Sequence, residues 1–194
     1  MNVYDFDKTI SYHDSTAKFY FFCIRKNPLL LRYSPAQGFH FLRFSLGFIK
    51  KTAFKERFYR FFHGIKDIDA YVAEFWHGNI NDIKQLYKDI HKDDDIVISA
   101  SPEFLLRPAC DALGIKHLIA SCVDKKTGKY DGENCYGEEK VARFKAEFGD
   151  AEIDEFYSDS YSDTPLARIS KKAFLVTDDQ LSDWDFATED RKKK

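Results

Sequence analysis

Asp95-Ile96-Val97-Ile98-Ser99 places three β-branched residues in succession, with no polar residue among them to mark a solvent face. Such a run fits a strand buried on both sides, the habit of parallel sheets, whose crossover connections cover both faces with helices. The sequence downstream keeps to that plan. Pro102 suits the first turn of a helix running through Phe104, Leu105, Ala109 and Leu113 and stopping at Gly114, with Pro108 predicting a kink. His117 to Val123 is a second apolar run, Lys126-Thr127-Gly128-Lys129 reads as a tight hairpin turn, and Glu138 to Phe148 as a helix. Asp154 to Ser158 and Ala173 to Val176 add two short strands around a helix near Pro165 to Ser170, and Met1 to Phe6 reads as a first strand entering a loop. Strand and helix thus alternate, which predicts an α/β fold with a three-layer parallel sheet whose ligands gather outside the carboxyl ends of its strands.

The segment from Asp14 to Ile90 breaks the pattern, being rich in Phe, Tyr, Lys and Arg with few strand signals. Leu42, Leu46, Ile49 and Ala53 recur at helical spacing, as do Phe54, Phe58, Phe61 and Ile65. The expected organisation is a core from residues 1–13 and 91–194 with a helical insertion at 14–90. Between Arg43 and Phe62, six basic residues (Arg43, Lys50, Lys51, Lys55, Arg57, Arg60) face one acid, Glu56, a local charge of +5. Arg43, Lys50 and Arg57 are seven apart and would line one stripe of a helix. Three readings fit: a solvated face behind packed phenylalanines, contact with anionic lipid headgroups, or recognition of a soluble anion.

Composition narrows the classes. At 44% hydrophobic residues the chain can bury a sizeable core, and 30 Lys plus Arg nearly cancel 32 Asp plus Glu, which excludes disorder and gives no global field for nucleic acid. The longest uncharged stretch in the aromatic region, Tyr33 to Leu42, is ten residues, against the roughly 20 that span a bilayer. Cys23, Cys110, Cys122 and Cys135 lie far apart and read as reduced thiols. With no signal-peptide pattern at the N-terminus, a cytoplasmic protein is expected, peripheral at the inner face of the membrane if the basic region meets lipid. No internal repeat is evident, and Arg191-Lys192-Lys193-Lys194 reads as a solvated tail.

Four clusters fall at the ends of predicted strands or just beyond: Asp5-Phe6-Asp7-Lys8-Thr9, Ser99-Ala100-Ser101, Lys140, and Asp159-Ser160-Tyr161-Ser162-Asp163. Singly each has an ordinary explanation as a capped loop, a strand-end hydroxyl or a surface lysine. Asp93-Asp94-Asp95 also looks metal-like, but it precedes its strand and so lies at the opposite end, where a solvated turn is expected. In combined order the four clusters resemble the haloacid dehalogenase-like (HAD) superfamily of phosphatases, in particular its phosphoserine-phosphatase-like branch, with a helical cap between the first and second motifs. The resemblance implies a Rossmann-like core bearing that cap, and it covers nearly the whole chain.

The chemistry suits these residue types. Asp5 is a carboxylate able to attack phosphorus and form an aspartyl-phosphate, dividing one hard step into two. Asp7, two residues on, could protonate the leaving alcohol and then deprotonate the attacking water; halide departure needs no such acid, so Asp7 favours phosphatase over dehalogenase. Carboxylates ~4 Å apart repel by about 4 kcal/mol at an effective dielectric near 20, which calls for a hard divalent cation. The resemblance implies Mg²⁺ held by the Asp5 carboxylate, the Asp7 main-chain carbonyl and Asp159, with Asp163 holding a metal-bound water or Lys140. Ser99 would donate to a phosphoryl oxygen, Lys140 would neutralise charge, and free amides near Ala100 and Ser101 at a helix start would add an anion-binding end. Asp14 would either hold a substrate amine, as in the resembling phosphoserine enzymes, or cap the first helix of the insertion.

Two positions depart from the pattern. Lys8 stands where many superfamily members have glycine. The third-motif lysine of phosphoserine phosphatases would fall at Tyr136, whereas Lys140 lies one helical turn later, on the same helix face. Asn134-Cys135-x-Gly137-x-x-Lys140, Ser99-Ala100-Ser101-Pro102 and Tyr157-Ser158-Asp159-Ser160-Tyr161-Ser162-Asp163 resemble instead a neighbouring group that includes bacterial phosphatidylglycerophosphate phosphatases. The expected function is a Mg²⁺-dependent phosphomonoesterase, monomer or homodimer, acting on a small phosphorylated metabolite or a lipid phosphate. A phosphoacceptor receiver module or a non-catalytic binder of anionic lipid are the alternatives; the 94 residues between Asp5 and Ser99 speak against the compact receiver.

Overall fold

The strand-forming run at Ile96 becomes the second strand of a six-stranded sheet in the computed structural model, which describes residues 1–187; the Arg191–Lys194 tail lies outside the described residues. In chain order, β1 (Asn2–Tyr4) is followed by α1 (Ser15–Lys26), a 3-10 segment (Pro28–Tyr33), α2 (Ser34–Ser45), α3 (Lys51–Phe58), a second 3-10 segment (Tyr59–Gly64), α4 (Ile68–Asn79) and, after a 3-10 turn, α5 (Gln85–Ile90). Then come β2 (Ile96–Pro102), α6 (Glu103–Ala112), β3 (His117–Ser121), α7 (Glu138–Phe148), β4 (Ile153–Ser158), α8 (Thr164–Arg168), β5 (Ser170–Thr177) and β6 (Gln180–Asp183).

The strands lie in the order β3-β2-β1-β4-β5-β6, parallel except for β6, which returns antiparallel along β5. β6 has no counterpart in the sequence reading, because Gln-Leu-Ser-Asp carries almost no strand signal and forms by pairing. Side chains alternate across the sheet. Val3, Ile96, Ile98 and Phe156 pack with Phe144 of α7 and Leu166 of α8, while Tyr4 and Val97 pack with Leu105, Leu106 and Ala109 of α6 and with the helices inserted after β1. Those two cores make three layers. Gly114 ends α6 with φ +73°, and the Lys126–Lys129 turn closes with the Gly128 amide on the Asp124 carbonyl at 2.9 Å. All four cysteines are unpaired.

Two expectations fail within the aromatic region. The apolar series Leu42 to Ala53 is not one stripe, because the chain leaves α2 at Ser45, turns at Gly47 with φ +77° and restarts as α3 at Lys51. Arg43, Lys50 and Arg57 therefore sit on separate elements rather than on one helix face. Phe54 to Ile65 likewise passes from α3 into 3-10 geometry at Tyr59. The acidic triplet differs too: Asp93 and Asp94 are exposed, but Asp95 is buried and accepts the Lys92 amide at 2.8 Å, and burial pushes its carboxyl up to about 6.

Candidate active site

Parallel strands put their carboxyl ends on one edge, so residues distant in sequence converge there. The Asp5 amide extends the sheet ladder to the Tyr157 carbonyl at 2.9 Å, after which the chain folds tightly around the Phe6 carbonyl, which accepts from Ile10 at 2.9 Å and Ser11 at 3.0 Å. Phe6 is buried, edge-on to Trp76 at 5.9 Å, and this anchor sits between the two aspartates. Asp5, Asp7, Asp14, Ser99, Ala100, Ser101, Lys140, Asp159 and Asp163 all line a single cavity of about 340 Å³.

Lys140 is the electrostatic centre. Gly137, at φ +60°, starts α7, and Lys140 in its first turn is only 1% exposed, its Nζ 2.7 Å from both Asp5 Oδ1 and Asp163 Oδ2. Burial alone lowers an ammonium's hold on its proton, but here Asp163 and Asp5 outweigh that and raise it. Burial pushes Asp5 up to about 8 against the pull of Lys140, with Asp163 and Asp7 adding to the rise. Asp163 is held further by the Ser158 hydroxyl at 2.8 Å. Its Oδ2 thus accepts from both Lys140 and Ser158.

Asp7 is fixed differently. Its Oδ1 accepts the Ser15 amide at 2.7 Å at the start of α1, and its Oδ2 accepts the Ser101 hydroxyl in a short bond. Burial, with the charge of Asp14 nearby, raises its carboxyl despite those bonds, which favours a protonated acid. Asp14 does cap α1, accepting the Ala17 amide at 2.8 Å, and it lines the cavity as well. The Ser101 amide is not free: it donates to Ser99 Oγ at 3.2 Å, because residues 101 and 102 still belong to β2 and the helix starts only at Glu103. That bond leaves the Ser99 hydroxyl proton for another acceptor.

Five aspartates line the cavity (Asp5, Asp7, Asp14, Asp159 and Asp163) against four lysines (Lys8, Lys51, Lys55 and Lys140). Asp159 is raised by burial, and its amide is tied to Thr9 Oγ1 at 2.9 Å. Asp163 Oδ1 is buried without a hydrogen-bond partner. Among the described residues no three His, Cys, Asp or Glu side chains gather as a metal cluster, but two carboxylates and one carbonyl require none. A cluster of aspartates with an orphaned carboxylate oxygen suits a hard divalent cation.

Several lining residues had no motif to reveal them. From α3 come Lys51, Phe54, Lys55 and Phe58. Lys55 Nζ donates to the Ala100 carbonyl at 2.8 Å, and Lys51 Nζ stands 3.6 Å from the centre of the Tyr136 ring. Burial, with Lys51 beside it, pushes Lys55 down to about 8. Lys84 is buried below the loop. Lys8 (φ 58°) and Asp178 (φ 52°) are the only non-glycine residues of positive φ among the described residues, and the Lys84 ammonium binds both their carbonyls at 2.5 Å. Lys8 thus takes the left-handed conformation that glycine adopts without cost, and Lys84 braces it there.

Residues 3–168 match the family described as haloacid dehalogenase-like hydrolase. A histidinol-phosphatase of Neisseria meningitidis is 28% identical over 163 residues, 64% of this chain and 73% of that protein. A crystal structure of a protein of unknown function from Bordetella pertussis superposes with TM-score 0.74 at 21% identity, covering 89% of this chain and 87% of that one. A phosphoserine phosphohydrolase-like protein from Francisella tularensis gives TM-score 0.56 at 17% identity, with 89% and 86% covered. At those identities the two structures share the fold. No helix among the described residues is long and apolar enough to cross a membrane.

Proposed function

Because this chain belongs to the haloacid dehalogenase-like hydrolase family and is a phosphatase within it, we propose that it hydrolyses phosphate monoesters through an aspartyl-phosphate on Asp5, with residues 14–90 capping the core of residues 1–13 and 91–194. The observation that carries this reading is the buried Lys140 ammonium, 2.7 Å from both Asp5 and Asp163, beside an Asp7 carboxyl held by Ser15 and Ser101. An Asp5 oxygen attacks phosphorus as the ester oxygen departs, taking the Asp7 proton. Water then attacks the acyl phosphate, losing its proton to Asp7, and the Asp5–phosphorus bond breaks to release phosphate. The Ser99 hydroxyl and Lys140 donate to phosphoryl oxygens throughout. Asp5, the Asp7 carbonyl and Asp159 would hold Mg²⁺, which supplies charge neutralisation at the phosphoryl group.

Leaving-group dependence tests the acid. In kcat/KM, which reports formation of the aspartyl-phosphate and not the shared hydrolysis step that also uses Asp7, Asp7→Asn should lower alkyl phosphates by about 10²- to 10⁴-fold and p-nitrophenyl phosphate much less, since nitrophenolate leaves without a proton. Equal losses on both substrates would remove Asp7 from that role. Chelation should silence turnover and Mg²⁺ restore it, with Asp159→Ala raising the Mg²⁺ concentration needed for half-maximal rate. Full activity after exhaustive chelation would exclude the metal.

The α3 wall favours substrates whose leaving group carries a second anion, met by Lys51 and Lys55 against Phe54 and Phe58. Lys55 holds its charge below about 8 and loses it above, so KM for a phosphate ester bearing a carboxylate should climb as pH passes that value. Lys55→Met should raise this KM at pH 7 and flatten its rise, leaving p-nitrophenyl phosphate nearly unaffected. A pH profile of KM identical in wild type and variant would exclude Lys55 as the contact.

A further inference from the structure

α2 is an amphipathic helix turned inside out. Its buried residue is the polar Gln37, which accepts from the Tyr20 hydroxyl at 2.6 Å and donates to the Phe58 carbonyl at 2.8 Å. Phe39, Leu42 and Leu46 cluster on the opposite face at 100° per residue. They are 59%, 56% and 61% exposed, and Phe48 in the following turn is 71% exposed. Arg43 lies on the same face, its guanidinium 5.9 Å from the Phe39 ring, and Lys50 is exposed just beyond Phe48. Exposed apolar groups gathered in this way mark an interaction surface rather than ordinary scatter.

Charge selects the partner. From Ser15 to Lys66 the chain carries eleven lysines and arginines against the single acid Glu56, in a protein whose net charge is −2. Of these, Lys18 and Lys26 pair with Asp82 and Glu74 and Lys51 and Lys55 line the cavity, but Arg43 and Lys50 stand at the apolar face itself, and two such faces repel, which disfavours a second copy. A cationic surface bearing protruding Phe and Leu matches a membrane, where apolar side chains enter the acyl boundary and basic ones meet anionic headgroups. We infer that the outward face of α2, with the turn at Phe48, docks this protein on anionic lipid membranes. The face differs from the Arg43–Lys50–Arg57 stripe, which the break at Gly47 abolishes. It adjoins the cavity through Phe54, which lines the site and stacks on Phe44 of α2 at 5.2 Å.

The inference does not rest on the proposed reaction, and its test reads binding first. Wild-type protein should co-sediment with phosphatidylcholine vesicles containing phosphatidylglycerol, much more weakly with phosphatidylcholine alone, and less in high salt. Phe39→Glu with Leu42→Glu should weaken vesicle binding at least about tenfold, given what burying even one such side chain contributes. Arg43→Glu with Lys50→Glu should do the same through charge. None of these residues lines the cavity, so p-nitrophenyl phosphate turnover should stay at the wild-type rate and report an intact fold. Failure to bind phosphatidylglycerol vesicles at low salt would overturn the proposal, as would equal binding to neutral vesicles. Dimers that the Phe39/Leu42 variant dissolves would assign the face to a second copy and equally overturn it.

Discussion

Asp5→Asn should reduce turnover of p-nitrophenyl phosphate by about 10⁴-fold or more, the scale seen when a covalent nucleophile is removed. The amide keeps the side chain's size but supplies no carboxylate to attack phosphorus. Lys140 would keep Asp163 as its anionic partner at 2.7 Å, so the lysine is not stranded and the fold should survive. A thermal midpoint within a few degrees of wild type, together with lost turnover, is the expected pair of results. Near wild-type activity in the purified variant would falsify the covalent route. Beryllium fluoride, a mimic of the acyl phosphate, should inhibit the wild type and show no binding to the variant.

Lys140→Met should damage stability as well as rate. Among the described residues the ammonium is the sole side-chain cation bonded to Asp5 and Asp163, both buried. Removing one partner of a buried ion pair typically costs about 3–5 kcal/mol, because the remaining charges stay desolvated. The variant should accordingly melt well below wild type at neutral pH, and Asp163→Asn in the Lys140→Met background should recover part of the loss by removing one orphaned charge. Additive destabilisation in that cycle would show that the lysine and Asp163 are not coupled. Turnover should fall in both variants, since neither supplies a cation to the phosphoryl oxygens.

How much of this was legible in the sequence depends on the kind of contact. Ile96-Val97-Ile98 announced a central strand because burial on both faces demands β-branched residues, and the alternation after it carried the sheet. Asp5, Ser99 and Asp159 could be placed together without coordinates, since parallel strands deliver their carboxyl ends to one edge. Lys140 was picked out by the resemblance that Asn134-Cys135-x-Gly137-x-x-Lys140 carries, in a helix read from Glu138. Lys55 showed only as one of six basic residues and Lys84 not at all, for a physical reason: each acts through a main-chain carbonyl, and carbonyls have no sequence signature. Gly47 was visible but its weight was not, since Leu42, Leu46 and Ile49 keep helical spacing across a break. That Leu42 and Leu46 face outward was hidden as well, because periodicity shows that a face exists and not which way it points.

β1 lies between β2 and β4, and so is synthesised before either neighbour that completes it. The Asp5 amide waits for Tyr157, the Asp5 carboxylate for Lys140, and the brace at Lys84 for Asp178. A nascent chain that has already made the whole helical insertion still holds Asp5 at the end of an unpaired strand. The contacts that fix the Asp5 loop therefore complete together only once Asp178 has been made, and a copy stalled before it lacks the Lys84 brace. Removing the β5–β6 turn, some 170 residues from Asp5 in sequence, should cripple the loop that bears it, and fragments cut there would accumulate as bystanders rather than as unregulated hydrolases.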